Sequence, residues 1–227
     1  MSIHEIKIWA YAFFLTNLYA IKLRKIFKDE HKKPIRLEYS KKLLEKLHIT
    51  VHVENPEEIP ETGQYLFVVN HRSIIDPLII DIALQQSHIF GLWLAKKELY
   101  DSLLFGNAVR NGGCIRVSRG NTDIKQFFTD INAGLARGSS ICIFPEGTRN
   151  KTDKTLLDFK EGVRIISRKN RLPIIPVYIR THSNKALDLA LKTGKASEIS
   201  IMFGDIIPYR ESQDIQTRYR EIFKIED

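Results

Sequence analysis

Short apolar runs separated by polar, glycine- or proline-bearing turns recur along this chain from residue 49 onward. Tyr65-Leu66-Phe67-Val68-Val69 and Ser139-Ser140-Ile141-Cys142-Ile143-Phe144 are continuous rather than alternating, the pattern of strands covered on both faces. Strands are expected over 49–53, 65–69, 89–94, 114–117, 139–144, 174–179 and 199–203. Helical patterns fall between them at 77–86, 96–104, 122–136 and 159–169. Alternation of this kind predicts an α/β fold, an α/β sandwich around a mixed, largely parallel sheet. Pro173 and Pro176 interrupt the sixth run and argue against a regular central strand along its whole length. No internal repeat or low-complexity tract divides the chain.

The N-terminal pattern differs. Ile8 to Ile21 is a fourteen-residue apolar stretch bounded by Lys7 and Lys22. As a helix it spans about 21 Å, short of the roughly 30 Å hydrocarbon core of a bilayer. Its Trp9, Tyr11 and Tyr19 are residues that favour a membrane–water interface. Residues 21–48 then carry ten Lys/Arg against four Asp/Glu, a charge excess suited to anionic headgroups. These features predict a two-helix, membrane-associating hairpin over 1–48, lying in one leaflet, and a second unit over 49–227. A helix buried against the domain is the competing reading of the same apolar run. A cleaved leader is not expected, because residues 1–7 are nearly neutral and Ala10-Tyr11-Ala12 lies inside the apolar stretch.

The formal charge of +8 over 227 residues also suits a non-catalytic protein that binds nucleic acid or an acidic membrane. No nucleic-acid fold signature accompanies it, and the excess sits beside an apolar, aromatic segment, so a membrane surface is the expected partner and nucleic acid is not. Cys114 and Cys142 both fall in expected core strands, with neither metal-ligand spacing nor a disulfide framework. The reducing cytoplasmic face of the cell membrane is the expected location.

Two polar clusters carry candidate chemistry. In Asn70-His71-Arg72-Ser73-Ile74-Ile75-Asp76, the histidine follows an apolar run and the aspartate precedes Pro77 and a helical pattern. A turn of this length can fold Asp76 back onto His71, giving a base that takes a hydroxyl proton and a carboxylate that orients it. The plain alternative is a helix-capping aspartate and a surface histidine. Ser73 is not a hydrolase nucleophile, because the chain has no G-x-S-x-G elbow. In Phe144-Pro145-Glu146-Gly147-Thr148-Arg149, Gly147 permits a tight turn, Arg149 presents a planar fork of donors, and Glu146 can accept from a hydroxyl. The alternative there is an ordinary turn after a strand. Between the clusters, Arg119 stands at the end of a short strand and is the better phosphate ligand, with Arg116 on its opposite face.

Taken together, NHRSIID (70–76), GCIRVSR (113–119), FPEGTR (144–149) and LPIIPVYI (172–179) resemble, in order, the four motifs of the glycerolphospholipid acyltransferases. The likeness is strongest to the 1-acyl-glycerol-3-phosphate (lysophosphatidate) acyltransferases and covers about residues 40 to 210. Phe159-Lys160-Glu161-Gly162 matches the family's stretch between the last two motifs, whereas Ser118 stands where members often carry an acid. The resemblance implies acyl transfer from a thioester, on acyl-carrier protein or coenzyme A, to the free hydroxyl of a lysophospholipid. His71 is then the base and Asp76 its partner; Arg119, Glu146, Gly147, Thr148 and Arg149 hold the glycerol phosphate. Pro173 and Pro176 shape the acyl-donor site. No metal or cofactor is implied. Glycerol 3-phosphate or a headgroup-bearing lysolipid remains an alternative acceptor.

Overall fold

The computed structural model describes residues 2–118 and 124–226. The chain opens with α1 (Ile3–Arg24) and α2 (Asp29–Lys46). Ser2 and Glu5 form a reciprocal capping box at the start of α1, which satisfies amides the helix leaves open. Next come β1 (Ile49–Val53), β2 (Leu66–Val69), α3 (Asp76–Ala83), β3 (Gly91–Lys96), α4 (Lys97–Tyr100), α5 (Gly106–Asn111) and β4 (Ile115–Val117). They are followed by α6 (Ile124–Ala136), β5 (Ser140–Ile143), α7 (Gly162–Asn170), β6 (Ile174–Ile179), α8 (Ser183–Thr193), β7 (Ser197–Phe203) and α9 (Ile215–Phe223).

The strands build one seven-stranded sheet in the order β1-β7-β6-β2-β5-β3-β4. Strands β6, β2, β5, β3 and β4 run parallel, β7 is antiparallel to β6, and β1 is parallel to β7. The expected mixed, largely parallel sheet is therefore the one formed. All four residues of β2 are buried, which explains its unbroken apolar run. Phe67 and Val69 join one core cluster with Leu15, Leu43, Ile79 and Ala186. Leu66 and Val68 join another with Ile131, Ile166 and Tyr219. Helices α1, α2, α3 and α8 thus cover one face, and α6, α7 and α9 the other. Because five strands are parallel, their carboxyl ends share one edge, where sheets of this type place ligands. The turns after neighbouring β2 and β5 open side by side on that edge.

The N-terminal helices pack on the sheet across residue 48. Leu43, Leu44 and Leu47 of α2 and Tyr19 of α1 belong to the same buried cluster as β2. Buried Arg36 of α2 reaches Asp81 of α3 at 2.5 Å and the Gly91 carbonyl at 2.7 Å, while Lys33 donates to the carbonyls of Leu84 and Ser87. The two helices form a layer against the sheet. The basic pattern of α2 concealed this, because its buried cations meet partners distant in sequence. The outer face of α1 still presents Ile6, Phe13, Phe14 and Ile21, with Phe14 67% exposed. Among the described residues, no helix is long and apolar enough to cross a membrane.

Other elements depart from expectation. The helix expected over 96–104 is replaced by the end of β3, the single turn of α4, and α5 beyond it. Helices α8 and α9 were not expected, although Ile215, Tyr219 and Phe223 recur at the i, i+4 spacing of a buried stripe. Pro176 sits within β6, between β2 and the end of β7. Ile174 exchanges backbone hydrogen bonds with Ile207, so Pro176, two residues on, turns its missing amide to that same side, past the end of β7. The ladder there loses little. Both cysteines are free, and burial pushes their thiols up, Cys114 to about 11.

Candidate active site

The turn after β2 is pinned from several directions. Asn70 accepts from the Ile179 N–H at 2.7 Å and donates to its carbonyl at 3.0 Å, tying the ends of β2 and β6 together. The Asn150 N–H donates to the His71 carbonyl at 2.6 Å. Arg72 is buried and donates to the carbonyls of Lys154 and Thr155 at 2.7 and 3.1 Å, which fastens the same turn to the segment after β5. Backbone carbonyls are modest partners for a buried cation, so this position of Arg72 depends on the loop holding its shape.

Within this frame His71 Nδ1 lies 2.8 Å from Asp76 Oδ2. A carboxylate only accepts, so Nδ1 carries the proton and Nε2 is left as the acceptor. Asp76 is wholly buried at the first turn of α3, and the same Oδ2 accepts the backbone N–H of Arg72 and Ser73 at 2.8 Å each. Asp76 caps no amide of α3; its carboxylate closes the 70–76 turn onto itself and holds the His71 ring in the same arrangement. The His71 ring stacks on Phe144 with centroids 3.7 Å apart and planes 10° apart, and Phe144 stacks on Trp93 at 4.6 Å. Tilting the imidazole breaks that stack, and flipping it breaks the bond to Asp76.

Glu146 joins the two motif turns. It is 2% exposed; one oxygen accepts the His71 N–H at 2.7 Å and the other the Leu157 N–H at 2.9 Å. Burial pushes its carboxyl above the usual range, and the two backbone donors offset part of that shift. Each Glu146 oxygen thus holds one backbone amide, and the residue also lines a cleft at this turn. Gly147 adopts φ +66°, in the left-handed region that glycine occupies without strain. Gly147, Thr148 and Arg149 are exposed. An open cleft of about 460 Å³ is lined by Glu146, Gly147, Thr148, Leu157, Asp158 and Lys160.

The structure thus brings His71, Asp76, Glu146 and Gly147 together on one edge of the sheet, with Thr148 and Arg149 following directly. It does not bring the prolines there. Pro173 precedes β6, at the opposite end of the sheet from His71, about 20 Å along the strand at the usual rise. Pro176 is buried, its ring on the side of Gly204, Ile222 and Phe223. Apolar residues around a proline read alike in a core strand and a pocket wall, so the motif alone did not place them. Arg119 lies outside the described residues. Arg116 is on β4, three places from β2 across the sheet. Lys160 and Phe144 were missed as site members; both sit in or beside quoted motifs, and only folding shows that their side chains face the cleft and the imidazole.

The family model described as Acyltransferase matches residues 50–180. The chain is 35% identical over 120 residues to a 1-acyl-sn-glycerol-3-phosphate acyltransferase of Helicobacter pylori, covering 52% of this chain and 49% of that one. A protein of the same name from Streptococcus pneumoniae is 28% identical over 136 residues, covering 60% and 49%. The alignments span about half the length of these curated relatives. The crystal structure of the 1-acyl-sn-glycerophosphate (LPA) acyltransferase PlsC from Thermotoga maritima superposes with a TM-score of 0.68, covering 98% of this chain and 92% of that one at 20% identity. At that identity the match bears on the fold.

Proposed function

The chain belongs to the Acyltransferase family, and on that premise we propose that it transfers an acyl group from a thioester to the free hydroxyl of 1-acyl-glycerol 3-phosphate. The observation that carries this reading is the buried Asp76 at 2.8 Å from His71 Nδ1, which leaves Nε2 as a base at the carboxyl edge of the sheet. The names of the curated relatives supply the acceptor.

The reaction follows from the tautomer. The acceptor hydroxyl gives its proton to Nε2 as its oxygen attacks the thioester carbonyl, and Asp76 balances the imidazolium charge. Collapse of the tetrahedral intermediate breaks the carbon–sulfur bond, and the departing thiolate takes the proton back from Nε2. The phosphate sits against the Gly147-Thr148-Arg149 turn, with Lys160 across the cleft as a second cation. Glu146 acts as a brace, holding the His71 backbone against the 155–157 segment. The exposed apolar face of α1 and the basic residues after it hold the protein on a membrane surface, where the lipid acceptor and its acylated product reside.

The test is acyl transfer by the purified protein, using acyl-coenzyme A and acyl-carrier protein with lysophosphatidate, glycerol 3-phosphate and lysophosphatidylcholine, products identified by mass spectrometry. Phosphatidic acid from lysophosphatidate is the expected product. The His71→Ala variant is expected to lose about 10²–10⁴-fold in kcat, the usual contribution of a positioned base. Transfer at the wild-type rate by that variant removes the base from His71.

A further inference from the structure

The two oxygens of Asp76 are loaded unequally. Oδ2 serves the His71 ring and two backbone amides of its own turn. Oδ1 accepts a hydrogen bond at 2.6 Å from the hydroxyl of Ser183, the first residue of α8, which the chain reaches 107 positions later. Both side chains are buried, Asp76 at 0% and Ser183 at 1% exposure.

We propose that Ser183 is a positioning residue for the catalytic pair, a reading that rests on His71 acting as the base. Ser183 occupies the first helical position of α8, one past the N-cap, so its hydroxyl is not committed to capping that helix. Here the hydroxyl leaves α8 and goes to α3, and His182 at the preceding cap position makes no side-chain cap either. The direction of that bond is the informative observation.

The physical reason lies in the carboxylate's torsion. The bond to a terminal carboxylate has a broad, soft rotational preference, so contacts rather than rotamer wells set its plane. The backbone donors on Oδ2 hold one oxygen in place, and a donor on Oδ1 from a separate element stops the group pivoting about that point. With the plane fixed, Oδ2 stays directed at Nδ1 while the imidazole gains and loses its proton. The hydrogen bond is charge-assisted and shielded from water, the setting in which such bonds are strongest. No covalent step is added; Ser183 acts on the acceptor and donor only through Asp76 and His71.

Kinetics of Ser183→Ala and Ser183→Thr with a defined thioester and lysophosphatidate, on protein shown by circular dichroism to be folded, test the proposal. The alanine variant is expected to lose about 10–100-fold in kcat, the scale of a hydrogen bond to a charged group, with both KM values within about twofold of wild type. Threonine keeps the hydroxyl and is expected to recover most of that loss. Wild-type kcat in Ser183→Ala overturns the proposal. Equal loss in both variants also overturns it, because the side chain is then needed for packing rather than for its proton. Where the alanine variant does not fold, Ser183→Cys replaces it: a thiol donates weakly, so a cysteine variant as fast as threonine removes the role. His71→Ala run in parallel separates the two readings: its full activity defeats the base assignment, whereas its inactivity beside a wild-type Ser183→Ala defeats this inference alone.

Discussion

Glu146 shows how much of the site's shape depends on a single buried side chain. Its oxygens serve two backbone amides that belong to different loops, those of His71 and Leu157. Glu146→Ala leaves both donors unpaired, and a buried unpaired donor costs about 1–3 kcal/mol. Lower thermal stability and a fall of about 10²-fold in kcat are expected together, because the His71 turn loosens. Glutamine keeps only one acceptor oxygen for two donors, so Glu146→Gln is expected to recover a minor part of either quantity. Steady-state kinetics discriminate the roles. A rise in acceptor KM with unchanged kcat makes Glu146 a substrate ligand instead of a brace. Arg149, exposed on the same turn, gives the opposite signature: Arg149→Ala is expected to raise acceptor KM about tenfold or more and to leave donor KM alone.

At the scale of elements, α2 is held by polar anchors at its start and about two turns further on. Asp29 is buried at its start and accepts from Arg137 Nε at 2.8 Å and Ser139 Oγ at 2.9 Å, with Lys32 Nζ at 3.4 Å. Burial raises its carboxyl, but the bonds to Arg137 and Ser139 and the nearby cations outweigh it, so the folded value lies below 3.8. A lowered acid contributes stability that is present above 3.8 and lost as pH falls through the folded value. Asp29→Asn is therefore expected to cost about 1–2 kcal/mol at neutral pH, with the difference from wild type closing below pH 3.8 in urea titrations. Further along α2, Asp81→Ala strands the Arg36 guanidinium without its carboxylate. That is expected to cost about 3–5 kcal/mol, and a change under 1 kcal/mol rules out the pair as the anchor of α2 on α3.

Over the whole molecule, the apolar surface is concentrated. Ile6, Phe13, Phe14 and Ile21 line the outside of α1, and Phe13 meets Phe105 edge-on at the start of α5, near Leu103, which is 95% exposed. The basic residues of 21–48 follow α1 directly in the chain. Sedimentation with vesicles is expected to show tighter binding to anionic than to neutral lipid, weakened by salt. Phe14→Glu is expected to release most of the bound protein and to preserve the fold, since the side chain points outward. Equal binding by that variant places the lipid contact elsewhere on the molecule.

Apolar runs and turn residues were enough to locate the strands, because a strand buried on both faces leaves an unbroken signature such as Leu66–Val69. Motif spacing likewise located His71, Asp76 and the Glu146–Arg149 turn, since those contacts are short in sequence or sit at strand ends. Folding alone decided which strands adjoin, and hence that the turns after β2 and β5 face each other. It also decided that Glu146 braces a backbone 75 positions away and that Ser183 reaches Asp76 across 107. It paired Arg36 of α2 with Asp81 of α3, and it set Pro173 at the far end of β6 from the His71 turn. Local pattern records which face of an element is apolar. The partner that each polar group finds depends on chain crossings that no local pattern encodes.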